Sequence, residues 1–163
     1  MIKAENGFTL VELIVTLVLV GIIGTFTTLF LYPGLNGYLR AKDTSEGALK
    51  AQIALDRISL ELRDINTISA FTSDTNIDYT SETLPGNRQI RLNGDQIDLD
   101  VNGNTNMLLD SVASFDLEAT YTDLNYFADG VLEVESIEVS FTIGEIERPF
   151  SVRIFPRNMV AEP

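Results

Sequence analysis

The chain of 163 residues contains no cysteine and no histidine. Without cysteine it can form neither a disulfide nor a thiolate metal site, and without histidine it lacks Ser-His-Asp and Cys-His machinery and histidine-bearing zinc sites. Its 24 acidic residues leave catalysis by carboxylates alone formally open, but they have no diagnostic spacing. The composition therefore predicts that the protein is not an enzyme and needs no cofactor.

Basic residues are scarce in most of the chain. Of 11 Lys and Arg residues and 24 Asp and Glu residues, three bases and two acids precede Asp43. Residues 43–163 therefore carry eight bases and 22 acids, a net charge of −14. Because phosphate contacts are made mainly by Lys and Arg, we expect no binding of nucleic acid. The simplest interpretation is a self-repelling surface that keeps this part of the protein soluble.

Charged residues are absent from one long segment, residues 13–32. An α-helix over residues 13–31 would be about 28 Å long, close to the hydrocarbon thickness of a bilayer. The segment is longer than the apolar part of an ordinary secretory signal, and no small-residue cleavage site of the Ala-x-Ala type follows it. The sequence thus predicts a membrane-spanning helix that the mature protein retains.

Glu12 stands directly before this apolar segment. An ionised carboxylate in a transmembrane helix costs about 2.5–3.5 kcal/mol at the bilayer centre and less near the interface, so a counter-ion is expected. No Lys or Arg lies between Lys3 and Arg40, so the same helix cannot supply one. A cut before Phe8 would expose a new positive amine, which could pair with Glu12 of a neighbouring molecule.

The segment from Gly7 to Val15, GFTLVELIV, together with the apolar run, resembles the processing signal of type IV prepilins and type II secretion pseudopilins. The resemblance implies that prepilin peptidase cuts after Gly7 on the cytoplasmic side and that the new first residue, Phe8, is N-methylated. It also implies that Glu12 pairs with the amine of an adjacent subunit. The expected partners are other pilin or pseudopilin subunits, prepilin peptidase, an inner-membrane assembly platform and membrane lipid.

A domain organisation follows from this resemblance. Residues 1–7 form the leader, and residues 8–32 form the membrane-spanning and assembly half of an N-terminal helix. Residues 33–70 form the amphipathic half of that helix, and residues 71–163 form a β-rich head. The protein is expected to cross the inner membrane once, with its head in the periplasm or, in a surface pilus, outside the cell.

Proline and glycine occur where the chain would leave the membrane. Pro33, Gly34 and Gly37 predict a kink or short break near residues 32–37, because proline removes a backbone donor and glycine weakens a helix. Beyond them, apolar residues recur at spacings of three and four, as in an amphipathic helix that packs on a sheet. These residues are Ala48, Ala51, Leu55, Ile58, Leu62 and Ile65. The charged residues between them lie mostly off this stripe and are expected to face water; they are Asp56, Arg57, Glu61, Arg63 and Asp64. Residues 54–64, ALDRISLELRD, also resemble the corresponding helix of J-type minor pseudopilins and W-type minor pilins, which indicates a minor subunit.

Strands are predicted after residue 86. Residues 72–86 are rich in Thr, Ser, Asp and Asn and end in Pro-Gly, which predicts a loop. Apolar and polar residues then alternate on both sides of Asn93-Gly94, a hairpin signal, and Asn102-Gly103 suggests a second turn of a meander. Residues 115–121 have another alternating face.

The last two predicted strands have the clearest alternation. Residues 137–143 and 150–154 predict a pair joined by a turn near residues 144–145. Apolar residues occupy even-numbered positions before residues 135–136 and odd-numbered positions after them. This shift by one residue predicts a bulge or loop there. The fold class is therefore α+β, with a long N-terminal helix packed on an antiparallel β-sheet head, similar to a pilin.

Acidic residues in two places suggest a calcium hypothesis. Asp95, Asp98 and Asp100 alternate on a hairpin, and Asp123 and Asp129 flank a loop. Neither group matches a calcium loop of defined spacing, so no metal ligand is assigned.

Two functions of different classes remain open at this level. The first is a minor pilin or pseudopilin, a structural subunit that enters, or primes assembly of, a type II secretion pseudopilus or a type IV pilus. The second is a single-pass, membrane-anchored periplasmic binding module outside any filament, with Tyr126 and Phe127 of the loop at residues 122–130 as its contact surface. Secretion pseudopili and twitching, adhesive and DNA-uptake pili share the N-terminal signal, so the sequence does not choose among these machines.

Overall fold

The computed structural model describes residues 8–124, 130–144 and 146–163. In these residues the chain forms one α-helix, α1, at Leu10–Arg63, and eight β-strands. The strands are β1 Ile65–Thr72, β2 Asn76–Ser81, β3 Asn87–Asn93, β4 Gln96–Val101, β5 Asn104–Leu109, β6 Val112–Thr122, β7 Glu133–Ile143 and β8 Ile146–Ile154. The chain divides into two compact units, one up to Asp43 and the other Thr44–Pro163.

The first unit consists of the start of α1. Its large apolar side chains are exposed, and α1 contains a window with a mean hydropathy of 2.4, long and apolar enough to cross a membrane. The predicted break near residues 32–37 is wrong, because α1 continues through Pro33. Proline holds φ near −65°, which is a helical value, and only one backbone donor is lost, so the neighbouring turns continue the helix.

Threonine hydroxyls in this apolar part of α1 bond to the backbone of their own helix. Thr25 donates to the Gly21 carbonyl at 2.9 Å, and Thr28 donates to the Gly24 carbonyl at 3.0 Å. A hydroxyl without a partner is costly in hydrocarbon, so these bonds suit a membrane environment.

In the second unit, the end of α1 packs on β-sheets through one face. Ala51, Ala54, Leu55, Ile58 and Leu62 are buried, which confirms most of the predicted stripe. They belong to one hydrophobic cluster that includes buried side chains from all eight strands. The α+β fold class, with a long N-terminal helix and an antiparallel β-sheet head, is therefore confirmed.

The strands form two antiparallel sheets. The first has the order β1-β2-β3-β4-β5, and the second has the order β6-β7-β8. Every strand is therefore next to its sequence neighbour within a sheet, as expected for a meander. The first sheet pairs Asn93 with Gln96 and Val101 with Asn104, so each of these two hairpins has a two-residue turn.

The second of these turns has the backbone that its residues favour. Asn102 and Gly103 occupy it with φ of 51° and 81°, and Asn and Gly tolerate this left-handed region best. In the other hairpin, the turn residues are Gly94 and Asp95 rather than the predicted Asn93-Gly94. Both predicted hairpins are confirmed, the first with its turn shifted by one residue.

The bulge predicted near residues 135–136 is also confirmed. Thr120 pairs with Ser136, but Tyr121 pairs with Val134, so Glu135 is the extra residue of β7. The bulge lets both Val134 and Ile137 point into the core although they are three residues apart.

Two strands differ from the sequence prediction. The helix ends at Arg63 rather than at residue 70, and Ile65–Thr72 forms β1. A register irregularity between Ile65 and Thr67 lets Ile65 and Ile68, which are three residues apart, both be buried, and this spacing resembles that of a helix. The predicted loop at residues 72–86 contains β2, whose inward Ile77 and Tyr79 alternate with polar residues. That alternation is short and lies among turn-forming residues, which is why the local pattern favours a loop.

Asp64 connects the end of α1 to the segment after β2. Its Oδ2 accepts hydrogen bonds from the Ser81 hydroxyl at 2.9 Å, the Thr83 hydroxyl at 2.5 Å and the Thr83 N–H at 3.1 Å. The bonds from Thr83 and then Ser81 hold the pKa of Asp64 below its ordinary value. This stabilisation is present above the ordinary aspartate pKa and is lost as the pH falls through the lowered pKa.

We therefore expect Asp64→Asn to make the stability of the protein less sensitive to acid. The melting temperature of the full chain in detergent, measured at about pH 7 and about pH 2, should fall less for Asp64→Asn than for the wild type. Asp95→Asn, on the exposed β3–β4 turn, is the matched control and should keep the wild-type difference. Equal differences for all three proteins would contradict this role of Asp64.

Candidate functional site

Glu12 lies in the first turn of α1. Thr9 immediately precedes the helix and caps it: its Oγ1 accepts a hydrogen bond from the Glu12 N–H at 3.3 Å, and its carbonyl accepts one from the Leu13 N–H at 3.2 Å. A threonine followed three residues later by a glutamate is the spacing of a capping box. The motif therefore also starts the helix, a role that the sequence analysis missed although the spacing is visible in the sequence.

The Glu12 carboxylate is exposed at this helix end. Within residues 8–124, 130–144 and 146–163, no side chain forms an ion pair or a hydrogen bond with it. The N-terminal end of a helix carries a partial positive charge, which favours a carboxylate but does not neutralise it. The described part of the molecule thus leaves Glu12 available to a cation from outside.

The other two predicted site residues have different outcomes. Phe8 precedes the helix and is 74% exposed, four residues before Glu12 in the chain. Gly7 lies outside the described residues together with the rest of the predicted leader, residues 1–7. The structure therefore tests neither the cleavage after Gly7 nor the methylation of Phe8, and both stay predictions.

The part of α1 in the second unit has a second apolar face, which points away from the core. Leu49, Ile53 and Leu60 are 63%, 68% and 59% exposed. At 3.6 residues per turn they lie within about 40° of one another and on the opposite side of the helix from the buried Ile58. We call these three residues the outer face of α1. Their spacing of four and seven is visible in the sequence, but the stronger stripe that forms the core obscures it.

A charged cluster is buried where α1 packs on the first sheet. Glu61 is 1% exposed, and its carboxylate receives Arg88 Nε at 2.6 Å and Arg88 Nη2 at 2.7 Å. The Tyr79 hydroxyl donates to Glu61 at 3.0 Å, and Arg57 Nη2 lies 2.5 Å from it. Both carboxylate oxygens are thus occupied, which suits a structural tie better than a reactive group.

The protonation of this cluster follows from its surroundings. Burial raises the pKa of the Tyr79 phenol, and the negative charge of Glu61 raises it further, so Tyr79 stays a donor. The hydrogen bonds to Glu61 raise the pKa of Arg88, which keeps its positive charge. The helical pattern of the sequence predicts Glu61 on the solvent side of α1, which is wrong, because Arg88 and Tyr79 enclose it.

The acidic residues of the calcium hypothesis differ in their surroundings: Asp98 and Asp100 have protein partners, whereas Asp95 and Asp123 are exposed. Asp98 accepts a hydrogen bond from Asn93 at 2.9 Å, and Asp100 forms an ion pair with Arg91 at 3.1 Å. Asp129 lies outside the described residues, as do Tyr126 and Phe127. In the described part of the chain, no group of three or more Asp or Glu residues has the geometry of a metal site.

One comparison with known proteins found a match. A family model described as "Prokaryotic N-terminal methylation motif" matches residues 2–28. No curated protein and no solved structure matched the chain. The matched residues include Phe8, Glu12 and much of the apolar part of α1. The N-terminal methylation motif, the signal of type IV pilins, is therefore present, and the long apolar helix that follows it fits a membrane anchor.

Proposed function

We propose that the chain is a filament subunit of the type IV pilin and pseudopilin class. Prepilin peptidase cuts it after Gly7, Phe8 becomes the methylated N-terminus, and the apolar part of α1 holds it in the inner membrane. The observation that carries this proposal is the methylation motif at residues 2–28, which continues into a single long apolar helix and then an antiparallel β-sheet head.

The surroundings of Glu12 support assembly through this end of the helix. Its carboxylate is exposed at a capped helix start and has no cation among the described residues. In a membrane this charge is costly, and the amine of a processed Phe8 on an adjacent subunit would neutralise it. An intramolecular partner would have removed this reason for pairing between subunits.

The outer face of α1 supports a filament over an isolated anchored module. Three large apolar side chains, Leu49, Ile53 and Leu60, are exposed in the unit that forms the head. Apolar groups at helical spacing gain stability when another apolar surface covers them. In a filament, the helices of neighbouring subunits provide that surface, whereas an isolated binding module leaves it in water.

The finer assignment concerns the subunit type and the machine. The similarity of residues 54–64 to J-type minor pseudopilins and W-type minor pilins supports a minor subunit that enters or primes a type II secretion pseudopilus or type IV pilus. Its partners are then the other subunits, the peptidase, the inner-membrane assembly platform and membrane lipid, with the head in the periplasm or, in a surface pilus, outside the cell. Neither nucleic acid nor a catalysed reaction belongs to this function.

Mass spectrometry of the mature protein tests the proposal. In cells with an active prepilin peptidase, we expect the chain to lose residues 1–7 and to gain one methyl group at the Phe8 amine. The same chain from cells without the peptidase is the control and should keep Met1. A mature chain that keeps residues 1–7 in the presence of the peptidase would contradict the proposal. A deletion strain scored for lost secretion against lost surface fibres identifies the machine.

A further inference from the structure

The uncharged part of α1 is longer than the hydrocarbon of a bilayer is thick. Between Glu12 and Arg40, residues 13–39 contain no Lys, Arg, Asp or Glu. All of them belong to α1, so at about 1.5 Å per residue this stretch is about 40 Å long. The hydrocarbon is about 30 Å thick, and the bilayer with its headgroup regions is about 40–45 Å thick. The stretch therefore matches the whole bilayer rather than its hydrocarbon alone.

The composition of this stretch changes at Tyr32. Residues 13–31 consist only of Leu, Val, Ile, Phe, Thr and Gly. Residues 32–39, YPGLNGYL, add two tyrosines, an asparagine and a proline. We call residues 32–39 the collar of α1. Tyrosine is enriched at membrane–water interfaces, because its ring is apolar and its hydroxyl needs a polar partner.

The polar groups of the collar differ in their hydrogen bonds from those of the preceding segment. There, the threonine hydroxyls donate to carbonyls of their own helix, for example Thr27 to Ile23 at 2.8 Å. Among the described residues, the hydroxyls of Tyr32 and Tyr38 and the side-chain amide of Asn36 have no partner. An unpaired hydroxyl or amide is costly in hydrocarbon. The polar ends of these three side chains therefore belong outside the hydrocarbon.

The collar also has an apolar face. Its four large apolar or aromatic side chains are exposed and lie within about 120° of one another on a helix of 3.6 residues per turn. They are Tyr32, Leu35, Tyr38 and Leu39. The opposite side of the helix carries Pro33, Gly34 and Gly37. Large apolar side chains collected on one side of a helix gain stability when an apolar surface covers them, so bulk water does not suit this face.

We propose that the collar lies in the headgroup region of the membrane, on the side from which α1 leads to the head, with its apolar face against phospholipid. The proposal rests on the membrane anchoring proposed above and names the surface that the end of the anchor binds. Both requirements of the collar are met in this region. The phenol and amide groups reach water and the oxygens of the headgroups, and the rings and leucines contact the upper acyl chains.

This position defines both ends of the membrane contact. About 42 Å of helix separates Glu12 from Arg40, which is the thickness of a bilayer with both headgroup regions. Glu12 then lies at one interface and Arg40 at the other, where its long side chain extends toward water. The contact with lipid extends about two helical turns beyond the predicted membrane-spanning part, residues 8–32.

Single tryptophans measure the depth of the collar, because the chain contains no native tryptophan. The test variant is Tyr38→Trp. The controls are Ile22→Trp, in the apolar segment, and Leu49→Trp, at an exposed site of α1 beyond the collar. The full chain is reconstituted at low density into phosphatidylcholine vesicles whose acyl chains are brominated either near the headgroups or near their ends. Fluorescence quenching by the bromine atoms and by acrylamide in water is then measured.

The interfacial position predicts a distinct result for each variant. Tyr38→Trp should be quenched at least about twofold more by bromine near the headgroups than by bromine near the chain ends. Acrylamide should quench it at least about threefold less than it quenches Leu49→Trp. Ile22→Trp should show the opposite preference between the two bromine positions, because it lies deep in the hydrocarbon.

A spin label gives a second measure of depth that avoids tryptophan, which itself favours interfaces. The chain contains no cysteine, so Asn36→Cys and the exposed control Gln52→Cys each carry one label. Oxygen concentrates in lipid, whereas a charged nickel complex stays in water. The ratio of collisions with oxygen to collisions with the nickel complex should be at least about threefold higher at Asn36→Cys than at Gln52→Cys.

Two results would overturn the position of the collar. If Tyr38→Trp is as accessible to acrylamide as Leu49→Trp, or the two labels are equally accessible to nickel, the collar lies in water. If bromine near the chain ends quenches Tyr38→Trp most, the anchor tilts and the collar lies in hydrocarbon. Quenching of Ile22→Trp by deep bromine in either case shows that the anchor stands and only the interfacial position is lost. If lipid bromine does not quench Ile22→Trp, the proposed anchoring itself fails.

Discussion

Replacing Arg88 with methionine is expected to lower the free energy of unfolding by about 3–5 kcal/mol, because it leaves a buried carboxylate without its main partner. Arg88 makes two hydrogen bonds to Glu61, at 2.6 and 2.7 Å, and both side chains are enclosed by the head. Tyr79 and the half-exposed Arg57 remain near Glu61, but they cannot replace this paired contact. Denaturant unfolding of the full chain in detergent, followed by circular dichroism, measures the loss.

Two further variants separate the lost pairing from the lost side-chain volume. Arg91→Met is the matched control, since Arg91 pairs with Asp100 at 3.1 Å in a more exposed position, and it should cost about 1 kcal/mol or less. The double variant Glu61→Leu with Arg88→Met removes both charges and should recover most of the stability lost in Arg88→Met. If Arg88→Met and Arg91→Met lowered the free energy of unfolding equally, the unpaired buried charge of Glu61 would not be the cause of the loss.

The second large effect is expected at Glu12. Both Glu12→Ala and Glu12→Gln should reduce incorporation into filaments at least about tenfold, because each removes the charge that pairs with the neighbouring amine. The quantity to measure is the fraction of processed chain found in sheared or sedimented filaments, relative to the processed chain in the membrane.

The glutamine variant distinguishes assembly from helix capping. Glutamine can replace glutamate in a capping box, so if Glu12 only supports the start of α1, Glu12→Gln should behave as the wild type. Asp43→Ala, which removes an exposed acid from the same helix, is the control and should assemble normally. Normal incorporation of Glu12→Ala would contradict the role of Glu12 in assembly, whereas a wild-type chain that is absent from filaments and whose head binds its partner equally well with Glu12→Ala would favour the anchored binding module.

Most of the head could be predicted from sequence because its strands follow local rules. In β3 and β4, apolar and polar residues alternate regularly on either side of a tight turn. The alternation shifts by one residue at Glu135, which is enough to predict the bulge in β7. β1 was not predicted because its irregular pairing interrupts the two-residue period of inward-facing side chains along the strand. β2 was not predicted because its two inward residues, Ile77 and Tyr79, are too few to form a recognisable alternating pattern among loop-forming neighbours.

The features of the candidate site also differ in whether the sequence alone reveals them. Glu12 is identifiable from sequence because a charge beside a long apolar run is conspicuous without any tertiary contact. The outer face of α1 is not, since a helix with apolar residues on two sides does not reveal which side is buried. Glu61 is misplaced by the helical pattern because its partner Arg88 is 27 residues away, and nothing local marks the pair.

By itself, the sequence determined the properties that depend on neighbouring residues: the apolar anchor, the methylation motif with Glu12, the absence of cysteine and histidine chemistry, and most strands. Tertiary structure alone decided which charges are buried and which stand together. It enclosed Glu61 between α1 and the first sheet, where Arg88 pairs with it, and it paired Arg153 of β8 with Glu138 of β7 in the second sheet. The physical reason is that burial and electrostatic pairing depend on distances in space, which folding sets between residues far apart in the chain.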